Sequence, residues 1–366
     1  MIGISIVSVI VLLGILIFAH EVGHFLMAKY SRVGVLKFSL GFGPRLAGKK
    51  VGETEYLISL IPLGGYVKLL GESDTEELSE EDKKRSFSTQ SVYKRIAIVA
   101  AGPVFNFLLA ILIFTLVNMV GVPKLTTKIG GVYPESAAFE AGMQAGDVIV
   151  AIDGRETSRW DKLAETVTEG QGKEMRITVD REGQIKEFVL TPRIIKSRNI
   201  FGEEVDAYKI GVTPSYQTVV ERMNPLSALW SGLKQTWMIS KLTVISIIKI
   251  LEGVISPRTL GGPILIAQIA GAQVKEGIIP FVLFMALLSI NLAVLNLLPI
   301  PILDGGHLLF YLIELITGKE ISLKWREMAQ QVGFVLLIIL MIFVFIMDIE
   351  RLNIKALDDF QKAFTR

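Results

Sequence analysis

Four stretches of the chain are apolar over a length that can cross about 30 Å of hydrocarbon: Ile2 to Ala28, Ile96 to Gly121, Gly277 to Leu303 and Met328 to Met347. Each predicts a transmembrane helix. Between the first two, Val35 to Leu70 changes character, with strand-forming residues punctuated by Gly41, Gly43, Pro44, Pro62, Gly64 and Gly65. That pattern predicts a β-hairpin, either a small cytoplasmic sheet or a membrane-associated strand with an edge free to pair with substrate. Gly71 to Gln90 runs acidic and then basic, which predicts a solvated loop. From Val122 to about Ile195 the chain reads as a globular insert, with strands at Arg176–Val179 and Phe188–Leu190. Asn224 to Gly253 places Lys234, Lys241 and Lys249 on nearly one helical face beside Trp230 and Trp237, predicting a helix along the membrane surface or an ordinary packed amphipathic one. Leu260 to Gly271 is uncharged but broken by glycine, and predicts a re-entrant or interfacial segment, with a fifth span as the alternative.

Composition agrees with several membrane spans carrying a soluble part: 51% of the 366 residues are hydrophobic, 20% are charged, and the mean hydropathy is +0.51. A net charge of +2 gives no reason to expect a nucleic-acid partner. With no cysteine, disulfides and thiolate metal sites are excluded. Lys29, Arg32, Lys37, Arg45, Lys49 and Lys50 open a basic loop between the first two spans, which the positive-inside rule places in the cytoplasm. The N-terminus and the insert are then expected outside. The first run has no basic leader and exceeds an ordinary signal-peptide core, so it is expected to be retained.

The first run holds one formally charged side chain, Glu21, within His20-Glu21-Val22-Gly23-His24. An ionised group near the bilayer centre costs roughly 2.5 to 3.5 kcal/mol even on lenient scales, so its presence there asks for a function. Four residues apart on a helix, His20 and His24 project from one face and can share a Zn²⁺, while Glu21 beside them can take a proton from attacking water. A hydrolytic zinc site needs a third protein ligand. The remaining histidine, His307, lies in Asn296-Leu297-Leu298-Pro299-Ile300-Pro301-Ile302-Leu303-Asp304-Gly305-Gly306-His307, where two prolines unwind the end of the third span. Asp304 and His307 are rival third ligands.

Gly131 to Ala138 and Ala141 to Gly154, with glycines, aspartates and alternating apolar residues, resemble a bacterial PDZ domain in a single copy. The combination of His20-Glu21-Val22-Gly23-His24, Gly102-Pro103-Val104-Phe105-Asn106, that PDZ pattern, and Asn296 followed by Pro299, Pro301 and Leu303-Asp304-Gly305 resembles the site-2 proteases, in the bacterial regulator-of-sigma-E protease group. The resemblance implies a polytopic α-helical membrane protein with four transmembrane helices, a membrane-associated β-hairpin and an inserted extracytoplasmic α+β PDZ domain. The expected divisions are 1–121, the PDZ domain at 122–200, a linker with the interfacial helix at 201–276, and the last two spans with the tail at 277–366. It further implies Asp304 as third zinc ligand, Glu21 as the water-activating group, and Asn296 and Asn106 near the substrate path, as donors to the substrate backbone or as structural pins; His307 is then expected in a supporting or packing role. The hairpin around Gly41, Gly43, Gly64 and Gly65 would hold substrate as an added strand. The expected substrate is a single-span membrane protein such as an anti-sigma factor, or remnant signal peptides, cut in the bacterial inner membrane with the active site toward the cytoplasm. One departure stands out, since better-known members carry two PDZ domains in tandem.

Overall fold

The computed structural model describes residues 2–72 and 78–364, so the centre of the polar loop expected at 71–90 lies outside the described residues. Helix α1 (Ile2–Tyr30) is followed by strands β1 (Val35–Val51) and β2 (Thr54–Leu69), a short α2 (Glu80–Arg85), and α3 (Val92–Val120). The insert then contributes β3 (Val122–Leu125), β4 (Ile129–Val132), α4 (Ala137–Glu140), β5 (Val148–Ile152), β6 (Arg155–Glu156), α5 (Trp160–Glu169), β7 (Met175–Arg181), β8 (Gln184–Leu190), β9 (Arg193–Arg198), β10 (Glu204–Lys209), β11 (Val212–Pro214) and β12 (Thr218–Glu221). Helices α6 (Pro225–Leu251), α7 (Pro263–Glu276), α8 (Ile278–Asn296), α9 (Asp304–Thr317) and α10 (Leu323–Phe364) complete the chain.

Four helices among the described residues are long and apolar enough to span a bilayer: Gly3–Tyr30, Val92–Val120, Ile278–Asn296 and Leu323–Leu352. The third apolar run stops being helical at Asn296, earlier than its composition predicts, because the chain turns at Leu297–Leu303 before α9 begins. Pro299 accounts for this, since the residue before a proline is pushed out of the helical region. The glycine-broken segment after Leu260 is a helix, α7. Its first turn is held from α10, where buried Asp348 accepts N–H groups of Gly262, Ile264 and Leu265 at 3.0, 3.0 and 3.2 Å.

Strands β1 and β2 pair antiparallel but are each bent, so that Phe38 faces both Val67 and Tyr56 while Ala47 faces Ile58. Read across the sheet, the half-strands run 45–51, 54–59, 37–40 and 65–69. Gly41 makes the bend possible: its φ is +90°, and a Cβ there would meet Ile61 O at 2.8 Å. The last segment, 65–69, has β1 on one side and no strand on the other among the described residues. A small core of Ala28, Val35, Leu69, Phe87, Ile98 and Tyr311 ties α1, the sheet, α3 and α9 together.

The chain divides into two compact units, of which the second is Val117–Ala228 with Lys249–Ile255. Its centre is an antiparallel sheet ordered β6-β5-β7-β8, packed over Ile129, Ala138, Ile149, Leu163, Ile177 and Val179. Residues beyond 200 return to it, because β11 pairs with β4 and β12 with β3. Segment 201–221, expected to be linker, is therefore part of this unit.

Candidate metal centre

Helical spacing brings His20 and His24 onto one face of α1, with Nε2 of one 3.1 Å from Nε2 of the other. Asp304, the first residue of α9, completes a triangle: its Oδ2 lies 3.1 Å from His20 Nε2 and 3.7 Å from His24 Nε2. Ligands at about 2.0–2.1 Å around a tetrahedral zinc are roughly 3.3 Å apart, and the three separations bracket that figure. Oδ2 of Asp304 is buried and takes no hydrogen bond. With both ring protons on Nδ1, three lone-pair atoms face one another and repel unless a cation lies between them, and their chemistry fits zinc.

The groups behind the ligands fix their tautomers. His24 Nδ1 is 2.9 Å from Ile98 O and must carry the proton, which leaves the Nε2 lone pair for metal. His20 Nδ1 faces the Asn106 carboxamide, with Nδ2 at 3.3 Å, while Asn106 Oδ1 is buried and unpaired. Turning that amide would let Oδ1 accept the His20 Nδ1 proton and free Nε2 for metal, which settles both groups at once. Asn106 is itself pinned, its carbonyl accepting the Ser289 hydroxyl at 2.7 Å.

Glycines decide how closely these helices approach. A Cβ on Gly23 would fall 2.3 Å from Ala101 O, so α1 and α3 cross in near-contact there. On Gly102 it would lie 2.4 Å from His24 Nε2. At the other wall, Gly305 and Gly306 lie against the turn before α9, where added Cβ atoms would meet Leu298 O and Ile300 O at 2.2 and 2.3 Å. This packing presents Asp304 to α1 from the N-terminal end of a helix, where a carboxylate is favoured.

A cleft of about 590 Å³ opens from the three ligands, bordered by Glu21, segment 65–69 of β2 and the start of α10. Gly65 sits directly on Glu21, since a Cβ there would be 2.9 Å from Glu21 Cγ. Asn296 is beside the metal ligands, with Nδ2 3.5 Å from His20 Nε2. Gly65 borders the cleft, while Gly41, Gly43 and Gly64 lie at the bends of the sheet and do not line it. Asn106, expected as a substrate-backbone donor or a structural pin, is wholly buried behind His20, the position of a pin. His307 lines the cleft with its ring near Phe310 and offers no atom to the ligand triangle.

Two features escape a reading by motif. Buried Arg95 on α3 meets Glu314 on α9 at 2.5 Å beneath the Tyr311 ring, which lies 5.0 Å from the guanidinium carbon. A signal for this existed in opposite charges at the ends of apolar segments, but not in any spacing. Glu72, just past β2, also borders the cleft.

A donor set of this kind, two of its ligands on a helix of membrane-spanning length among four such helices, defines a metallohydrolase of a multi-pass membrane protein. Residues 8–340 match Peptidase family M50, and the chain belongs to that family, the site-2 type of metalloprotease. Among its relatives, a Campylobacter jejuni protein named as a zinc metalloprotease is 36% identical over 350 residues, 96% of this chain and 94% of its own. The regulator of sigma-E protease RseP of Salmonella typhimurium is 32% identical, across 95% of this chain and 99% of its own. That alignment extends over 447 positions, more than this chain's 366 residues, so RseP carries segments with no counterpart here. A quarter of the chain also aligns with 90% of a PDZ-domain structure of an SdrC-like protein from Listeria monocytogenes, at 17% identity and a TM-score of 0.20.

Proposed function

We propose that the protein is a zinc-dependent intramembrane endopeptidase, with His20, His24 and Asp304 as ligands and Glu21 as general base. The observation that carries the reading is the triangle of His20 Nε2, His24 Nε2 and Asp304 Oδ2, within 3.1 to 3.7 Å of one another, with Oδ2 buried and without a hydrogen bond. Zinc held by these atoms supplies a Lewis acid that polarises a peptide carbonyl and acidifies water. Glu21 takes the proton of the attacking water and delivers it to the departing amine. Asn296, beside the ligands, is placed to donate its amide to the peptide being cut.

A helical substrate hides its carbonyls in its own hydrogen bonds, so it must be drawn out as a strand before attack. The side of segment 65–69 that no strand covers among the described residues runs past Glu21 and supports docking by strand addition. The substrate class is a single-span membrane protein, with anti-sigma-factor-like proteins and remnant signal peptides the first to try. The basic loop supports a cytoplasmic side for the residues between the first two spans, which puts the second unit outside. There, as a single PDZ-type domain, it works as a filter against substrates with bulky outer parts.

The test is cleavage of a single-span reporter in detergent by wild type and Glu21→Gln, with and without a chelator. Cleavage is expected from untreated wild type only, with zinc still bound in the variant. Equal cleavage by the two proteins would remove Glu21 from the chemistry.

A further inference from the structure

We propose that Glu72 sets the register of the docked substrate strand by closing the last position of the docking edge; the inference rests on the strand-addition reading above. At the end of β2, Leu70 donates its N–H to Gly34 O at 2.8 Å, on the side of the sheet that is already paired. The preceding residue points the other way. Leu69 N–H goes to Glu72 Oε2 at 3.1 Å. Antiparallel strands alternate the direction of their backbone groups, so Val67 and Gly65, two and four residues earlier, share the outward direction of Leu69. The β1 bulge between Val35 and Lys37 leaves this alternation along β2 intact.

The free edge thus offers two outward residues, Gly65 and Val67, followed by a third, Leu69, whose amide is taken. Gly71, with φ +63°, reverses the chain just after β2 and brings Glu72 back to that amide. An incoming strand pairs as far as Val67 and stops. Side chains and backbone groups repeat every second residue, so the nearest alternative docking is a slip of two residues toward Leu69. That slip needs the Leu69 N–H. By holding it, the Glu72 carboxylate fixes which peptide bond lies over Glu21 and the three ligands. Glu72 acts through the strand and is a positioning residue.

The test is mass analysis of products from a single-span reporter cleaved by the full-length protein in detergent. Wild type is expected to cut one principal bond. Glu72→Ala, and independently Glu72→Lys, should each raise a second product displaced by two residues, by about fivefold, the factor one hydrogen bond carries. Glu72→Gln keeps an acceptor and should keep the single cut. An unchanged product pattern in Glu72→Ala and Glu72→Lys, or the same shift in Glu72→Gln, would overturn the proposal. Val67→Pro separates this from failure of strand docking: it deletes an outward N–H on an edge strand, where proline is tolerated. Slow cleavage by Val67→Pro with an unshifted Glu72→Ala product sinks the register role alone, whereas undiminished cleavage by Val67→Pro sinks docking and register together.

Discussion

A methyl group at position 102 would sit 2.4 Å from His24 Nε2 and 2.7 Å from His20 Cε1, closer than real Cβ contacts come. Gly102→Ala must therefore push both imidazoles off their common focus, and zinc affinity, read by competition with a chromogenic chelator, should fall at least about tenfold. Asn106→Ala should weaken zinc by roughly 10- to 100-fold for a different reason, loss of the group that orients His20. Asp304→Ala should bring bound zinc well below one per chain while His307→Ala leaves it near one, and the reverse result would exchange their roles. The histidine pair was legible from the sequence because its partners are one helical turn apart and need no tertiary information. The choice between Asp304 and His307 was not, since both follow the same proline-broken turn and only its packing on Gly305 and Gly306 decides which side chain reaches α1. Whether Asn106 meets substrate or pins a helix is not legible for a similar reason. Its face of α3 is set by the near-contact of Gly23 with Ala101, which no periodicity reveals.

Helices α3 and α9 are joined by the buried Arg95–Glu314 pair, with side chains 5% and 8% exposed. Deleting one partner strands the other charge, so Arg95→Ala is expected to cost about 3–5 kcal/mol, whereas replacing both by apolar residues of similar volume should recover most of it. Thermal unfolding in detergent of the two single variants and the double variant checks this. In the second unit, Asp147 at the start of β5 is 1% exposed. Burial pushes its carboxyl up, but Arg181, at 2.6 and 2.8 Å, and the Gln144 N–H outweigh burial and hold it below its ordinary value. A carboxyl depressed on folding stabilises above its unfolded pKa of about 3.9, and that contribution is lost as pH falls through the lower folded value. Amide exchange in residues 117–228 should accelerate on acidification below about pH 4, and Asp147→Asn should lessen that dependence. The four spans were legible at this scale because composition alone marks them. Helix α7 was not, because its start depends on Asp348, 86 residues later than Gly262 and in another helix.

Strand pairing shows how the second unit is tied into the chain. Val122 of β3 faces Glu221 of β12, so the insert enters and leaves at one place, and a Cβ on Gly121 would lie 2.9 Å from Arg222 Cγ. The composition shift near residue 122 marked the entry. The expected exit at residue 200 falls before β10, β11 and β12, which are short and become recognisable only by what they pair with. Deleting only residues 129–193 would remove β4, the partner of β11, and the central sheet while leaving β10 to β12 behind, and would test misfolding rather than filtering. Joining Gly121 to Arg222 through a few glycines removes β3 to β12 together at their own neck. If the unit excludes bulky substrates, the shortened protein should bind about one zinc, cut a trimmed single-span reporter at close to the wild-type rate, and now also cut a reporter that keeps a folded outer domain. Parallel time courses on both reporters decide it: retained activity on the trimmed reporter with unaltered refusal of the bulky one means that discrimination resides in the membrane-spanning part and its sheet.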